Sequence, residues 1–353
     1  MNASRITNAL LISIAFVIIL IFGKGLIIPF VLALFFWFLI KEIRDFLQRI
    51  PIVKKYIPTM VLNLFGFLLI FAILGFIIQI LAVNIKQLTN LLPVYQQNLN
   101  NVADNIQSFL NIDLVTKVKE FLGDYEYSSI LSSLLNSLTD LFGKAFLILI
   151  YTLFLVLEEP FFSSKIKAIY SNENSFNEVI SIINQIDTSI RKYISIKTFV
   201  SFLTGLLSYF ALLIIGIDVP LFWAFLIFIM NFIPTIGSLI ATVFPAIFAM
   251  LQFGEVGPGI WVLSVVGTIQ LVVGNYIDPK LTGNSLNVSP LVILLSLSFW
   301  GALWGITGMI LSVPITVMMI IIFAEIPSTR PVAIILSKKG NVNGDIQQID
   351  SNL

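Results

Sequence analysis

The chain has no cysteine and no histidine. The first absence excludes disulfides and thiolate nucleophiles. The second excludes imidazole acid–base chemistry. Together they remove haem ligation through Cys or His and the nitrogen and sulfur ligands usual in a zinc site. Any bound cation would have to be held by oxygen, and the sequence predicts neither a metal centre nor a cofactor. Charge is scarce as well. Only 11% of the 353 residues are Asp, Glu, Lys or Arg, against roughly 25% in soluble domains. The 20 basic and 19 acidic residues leave a net charge of +1. No long basic field is present, so nucleic acid is not an expected partner. The sequence also lacks a Walker A loop, a G-x-G-x-x-G turn in a βαβ setting and a G-x-S-x-G elbow. Neither ATP hydrolysis nor any other enzymatic activity is expected.

Apolar side chains are abundant: 58% of the chain is hydrophobic, with a mean hydropathy of +1.00. A soluble globule of this size could not cover that much apolar surface, whereas lipid can solvate it. The apolar runs are 9–22, 26–40, 60–83, 143–157, 198–217, 219–253, 259–277 and 290–325. A span needs about 20 residues. The expected fold is therefore all-α and polytopic, with about eight transmembrane helices in the cell membrane. The first run has no small-x-small cleavage site after it and reads as a retained span. Runs 219–253 and 290–325 are too long for simple spans, and both carry Pro and Gly in their middle. Each reads as a kinked, tilted helix or as a re-entrant hairpin.

Loop charge suggests orientation. Lys41, Arg44, Arg49, Lys54 and Lys55 follow the second run, and Lys165, Lys167, Arg191, Lys192 and Lys197 fall within 158–197. These loops read as cytoplasmic, and 84–142, with few lysines and several acids, as external. Eight crossings leave both termini in the cytoplasm. The chain divides into N-terminal spans (1–83), an external amphipathic segment (84–142), a span (143–157), a cytoplasmic amphipathic segment (158–197), a transport core (198–325) and a tail (326–353). In the external segment Leu88, Leu92, Tyr95, Leu99, Val102, Ile106 and Phe109 recur at alternating steps of three and four. That stripe fits packing within the chain or against a second copy. Pro93 reads as the start of that helix. Ile130, Leu134, Leu138, Leu141 and Phe142 form a second apolar pattern.

Polar groups and helix breakers concentrate after Asp218. Asn231-Phe-Ile-Pro234-Thr235-Ile-Gly237 joins a lost backbone donor to a permissive glycine, a combination that interrupts helices. Freed backbone groups in a membrane need protein, water or substrate. Asn231 and Thr235 beside the break, with Gln270 and Asn275 in the next run, are candidates to line a transport path. Each could equally serve helix packing. Asp278 could cap a helix, pair with Lys280 or exchange a cation or proton. Pro234, Gly237, Gly274, Pro279, Gly283, Gly305, Gly308 and Pro314 are candidate breaks or gates. Gly301-Ala-Leu-Trp-Gly305 has the spacing that lets two helices approach closely. Transport of a small polar solute, exchange of a monovalent cation for protons, and a scaffold role without transport all remain open on the residues alone.

Several motifs carry a family resemblance. They are Pro29-Phe-Val-Leu-Ala33, Asn231 to Gly237, Gln270 to Gly283, Asn287-Val-Ser-Pro290 and Trp304-Gly305-Ile-Thr-Gly308 through Pro314. In this order, over about residues 5–330, they resemble the AI-2E transporters, also called PerM-like permeases. The resemblance implies a bacterial or archaeal plasma-membrane protein with about eight spans that assembles as a homo-oligomer. It implies export of the furanone signal autoinducer-2, as in some members, or sodium or lithium/proton antiport, as in others. The sequence departs from the family pattern at Ser238, where proline is frequent, at Ala241, and at Val273, where an acid is frequent. The last departure weakens an ion-coupling role for a carboxylate at that position.

Overall fold

The structure is a computed structural model that describes residues 3–110, 127–170, 172–282, 287–338 and 340. Its described elements are helical, apart from an isolated antiparallel bridge between Val288 and Ser337. Numbered in chain order they are α1 Ala3–Phe22, α2 Lys24–Gln48, α3 Pro51–Tyr56, α4 Thr59–Leu110, α5 Tyr127–Ile169 and α6 Glu173–Ile215. These are followed by α7 Pro220–Met230, α8 Ile236–Phe253, α9 Val256–Val272, a π turn Val273–Ile277, α10 Asp278–Thr282, α11 Pro290–Glu325 and α12 Arg330–Leu336. Among the described residues, seven helices are long and apolar enough to cross a membrane.

Three helices run through boundaries that hydropathy suggested. α4 continues well past the first apolar stretch, and Pro93 lies inside it rather than at its start. A proline removes one backbone donor but does not end a helix whose other turns are satisfied. α5 and α6 likewise continue through the charged stretch 158–197, broken only around 170–172. Charges there lower the hydropathy without interrupting the backbone ladder.

The chain forms two compact units. The first comprises 1–70, 144–195 and 284–353, the second 71–143 and 196–283. In unit 1, Phe38, Ile190, Ile194, Val292, Val313, Val317 and Ile320 form a buried core. A second cluster joins Leu20 to Trp300 and Trp304, and the Trp304 indole donates to the Leu20 carbonyl at 3.1 Å. Trp304 thus holds α1 by its polar edge while burying its rings, as an amphipathic aromatic does.

Each unit contains a helical hairpin that resolves one of the two overlong runs. In unit 1, α11 is two arms meeting at Gly305, whose φ of 62° and ψ of −143° no L-residue adopts readily. The arms run antiparallel. Ser296 Oγ donates to the Ser312 carbonyl at 3.1 Å and also pairs with the Thr316 hydroxyl. In unit 2, α7 and α8 form the other hairpin, closed at one end by Trp223 against Phe248, with ring centroids 4.8 Å apart. Both tips depend on close backbone approach. A Cβ on Gly237 would lie 1.8 Å from the Met230 carbonyl oxygen, and one on Gly308 would lie 1.9 Å from that of Trp300. In both hairpins a short arm precedes a longer one. α7 has 11 residues and α8 has 18. At ~1.5 Å per residue, α7 covers only about half of a ~30 Å hydrocarbon core.

Candidate functional site

The polar candidates Asn231, Thr235, Gln270, Asn275 and Asp278 all fall in unit 2. Asn231 is the last residue before the α7–α8 turn, and its side-chain amide donates to Ser201 Oγ at 3.2 Å. Asp278 opens α10, directly after the π turn, and pairs with Lys197 Nζ at 2.6 Å. Lys197 and Ser201 stand one helical turn apart on α6, and side chains at that spacing share a face. One face of α6 therefore receives both the hairpin tip and the end of the α9 run. Neither α6 residue was a sequence candidate. Lys280, one of the partners the sequence offers Asp278, has its ammonium 5.9 Å from the Tyr276 ring centroid.

This face of α6 continues as a polar seam. Ser201, Thr204 and Ser208 are fully buried, and Thr204 Oγ1 donates back to the Val200 carbonyl at 2.8 Å. Gly205, on the same stretch, admits α7: a Cβ there would meet the Ala224 carbonyl oxygen at 3.0 Å. Such a run of Ser, Thr and Gly at three- and four-residue steps lets helices pack closely in lipid.

Among the described residues, buried polar groups are not uniformly satisfied. In unit 1 the buried hydroxyls of Thr152, Ser296, Ser312, Thr316 and Ser337 all have hydrogen-bond partners. In unit 2 the buried atoms Thr198 Oγ1, Ser208 Oγ, Trp223 Nε1 and Gln270 Nε2 have no hydrogen-bond partner among the described residues. Gln270 is only 6% exposed, on the same face of α9 as the buried residues Val262, Val266 and Val273. An unpartnered buried polar group costs about 1–3 kcal/mol.

Thr235 and Asn275 are exposed, so the structure does not bring all five candidates round one point. Thr235 has φ 62° and ψ −60°, a strained conformation for a β-branched residue. Asn275 and Gly274 lie within the π turn, a local widening that recurs at functional sites. Pro234 is half-buried at the α7–α8 tip, and Pro279 is exposed in α10. Gly305, Gly308 and Pro314 belong to the unit 1 hairpin. Gly283 lies outside the described residues.

At one end of the unit 2 hairpin a second polar cluster ties α4 to the chain. Tyr95 donates its phenol to Asp218 Oδ2 at 2.8 Å, and Asn98 Nδ2 donates to the carbonyls of Leu251 and Gln252 at 2.9 Å each. Gln252 in turn accepts from the Asp218 amide and donates to the Gly216 carbonyl. Burial, and then the neighbouring Asp218 carboxylate, push the Tyr95 phenol well above its usual range. Tyr95 and Val102, two members of the apolar stripe, are buried within the chain. The side chains of Leu92, Ile106 and Phe109 and of the second pattern, 130–142, lie outside the described residues.

Seven helices of spanning character among the described residues make this a multi-pass α-helical membrane protein. The profile of the family described as "AI-2E family transporter" matches residues 10–328. The chain belongs to that family. It is 30% identical over 322 residues, 90% of each chain, to the AI-2 transport protein TqsA of Escherichia coli K12. It is 29% identical over 331 residues to a protein of Borreliella burgdorferi (91% of this chain, 88% of the other). It is 29% identical over 338 residues to one of Haemophilus influenzae (92% and 95%), and both of these are assigned to transport by name alone.

Proposed function

We propose that the protein is a permease that exports a small polar organic solute, of the autoinducer-2 type, along the polar face of α6 in unit 2. The observation that carries this reading is the set of buried polar atoms without hydrogen-bond partners among the described residues, Gln270 Nε2 foremost. A solute with several hydroxyl or carbonyl groups would satisfy them in turn. The α7–α8 tip at Asn231 and Thr235 and the π turn at Asn275 are the proposed moving parts. Asp278, held by Lys197, orients the end of α9. The TqsA likeness supports the solute class. Cytoplasmic termini and homo-oligomeric assembly belong to the same proposal.

The test is flux from proteoliposomes across a panel of small polyhydroxylated solutes. Gln270→Leu removes an unpartnered buried amide, so it should not lower thermal stability. It should reduce export at least about tenfold, a change of about 1.4 kcal/mol. Unchanged flux in folded Gln270→Leu would sink the assignment of the path. Sodium- or lithium-driven proton movement without solute flux would replace export with antiport.

A further inference from the structure

We propose that unit 1 carries a binding site for one acyl chain of a phospholipid, built from residues that take no part in the polar seam of unit 2. A cavity of about 450 Å³ opens between α2, α5, α6 and the long arm of α11, a size within the ~300–1,000 Å³ of ordinary ligand sites. Its walls are apolar: Leu34 and Phe38 from α2, Ile183 and Ile190 from α6, Leu311 and Met318 from α11.

The chemistry of the rim excludes an ionic guest. Lys41, Glu159 and Asp187 line the cavity, but each is engaged. Lys41 donates to Asp187 at 2.6 Å and lies 4.6 Å from the Trp37 ring centroid. Glu159 accepts from Arg44 at 2.7 Å and from Trp37 and Asn63 at 3.2 Å. Arg191 pairs with Asp45 and Asp187, and Arg44 also reaches Asp45. Three cations face three anions, and the network carries no surplus charge that would recruit an ion. What the cavity offers is apolar surface for the body of a ligand. Exposed Ser163 and Asn184 lie at its edge, two neutral hydrogen-bonding groups matched to glycerol and ester oxygens.

The occupant follows from the solvent. The α2 wall, Val31 to Phe38, and the α11 wall, Leu311 to Met318, lie in apolar runs of membrane-spanning helices, while the α5 and α6 walls lie in the charged stretch 158–197, so the cavity borders lipid along α2 and α11. Water gains too few partners in an apolar cavity. A flexible alkyl chain recovers the dispersion contacts that an unfilled wall loses. Met318 adds an adaptable side chain suited to such a guest. Because Leu311, Pro314 and Met318 belong to the hairpin's long arm, a bound chain would also brace that arm.

The experiment uses full-length protein in nanodiscs of phosphatidylcholine doped with the same lipid carrying a diazirine near one acyl terminus. Crosslinked peptides are mapped by mass spectrometry. Saturable labelling at Leu34, Ile183, Ile190 and Met318 is expected, on the order of tenfold above that at exposed Phe154 of the same unit. Ile183→Trp should fill the cavity and abolish the excess while labelling at Phe154 stays constant. Met318→Phe serves the same purpose should the first variant fold poorly, with folding read from monodisperse elution and thermal unfolding. Labelling that rises linearly with probe and is no denser at Ile183 than at Phe154 would overturn the proposal. Persistence of the saturable excess in a folded, cavity-filled variant would also overturn it. So would displacement of the probe by water-soluble solutes rather than by unlabelled lipid. None of these readouts depends on flux through unit 2.

Discussion

Lys197 and Asp278 are 81 residues apart in sequence, and their charged atoms are 2.6 Å apart in unit 2. Their side chains are only 13% and 19% exposed. Removing Asp278 strands the Lys197 ammonium, and removing Lys197 takes from Asp278 its nearest cation. Asp278→Leu and Lys197→Met should each destabilise the protein towards the lower end of ~3–5 kcal/mol. The double variant Lys197→Met/Asp278→Leu should recover most of that loss, because it abolishes both desolvation costs. Thermal unfolding in detergent across this double-mutant cycle checks the coupling. Strict additivity would show that the pair contributes nothing.

The hairpin tips make a sharper stability prediction. Gly237→Ala and Gly308→Ala place a methyl against a carbonyl oxygen that cannot move without opening the tip. Each should cost more than the ~1–3 kcal/mol of ordinary overpacking and lower the yield of monodisperse protein. Gly274→Ala is the control. Nothing lies within 4 Å of its added Cβ, and better helix propensity should leave stability unchanged or raise it by up to ~1 kcal/mol. Fluorescence-detected size-exclusion chromatography after a temperature ramp separates these outcomes.

Tyr95 predicts an alkaline limit. Its phenol is held above its usual range by burial and by Asp218. A group whose folded pKa exceeds its unfolded value contributes stability that is whole below the unfolded value of ~10 and is lost as pH rises through the folded one. The wild type should therefore weaken above about pH 10. Tyr95→Phe should be less stable at pH 7, by ~1.5–3 kcal/mol for a hydrogen bond to a charged acceptor, and should lose less of its remaining stability between pH 9 and 12. Unfolding midpoints measured across that range decide the matter.

The Glu159 carboxylate accepts from Arg44, Trp37 and Asn63 in unit 1. Glu159→Gln should destabilise the protein nearly as much as Glu159→Ala. The new amide turns a donor towards donors and leaves Arg44 with one acid fewer. A loss of ~1–3 kcal/mol is expected for each. A Gln variant with wild-type stability would show that the network is slack.

Much of the membrane character was legible because it depends on composition and run length, which each residue contributes independently. The break at Asn231–Gly237 was legible because proline and glycine act on their own backbone. Hairpin closure was not, since it depends on Met230 meeting Gly237 and Trp300 meeting Gly308 after the chain turns. The α6 seam left a visible trace: Thr198, Ser201, Thr204, Gly205 and Ser208 fall on one helical face. An averaged apolar run conceals it. Lys41, Arg44 and Arg191 were read as markers of orientation, because a loop-charge rule counts charges without asking what they touch. Their role in an ion-pair network joining α2, α5 and α6 depends on tertiary contacts.

The order of arms in the two hairpins bears on biosynthesis. α7 is too short to be left in the bilayer by itself, and it leaves the ribosome before α8, whose residues complete the packing at its tip. The first arm of α11 likewise precedes the residues that pack against Trp300. Each short arm therefore gains its packing only once its longer companion has been made, after Phe253 in one case and after Glu325 in the other.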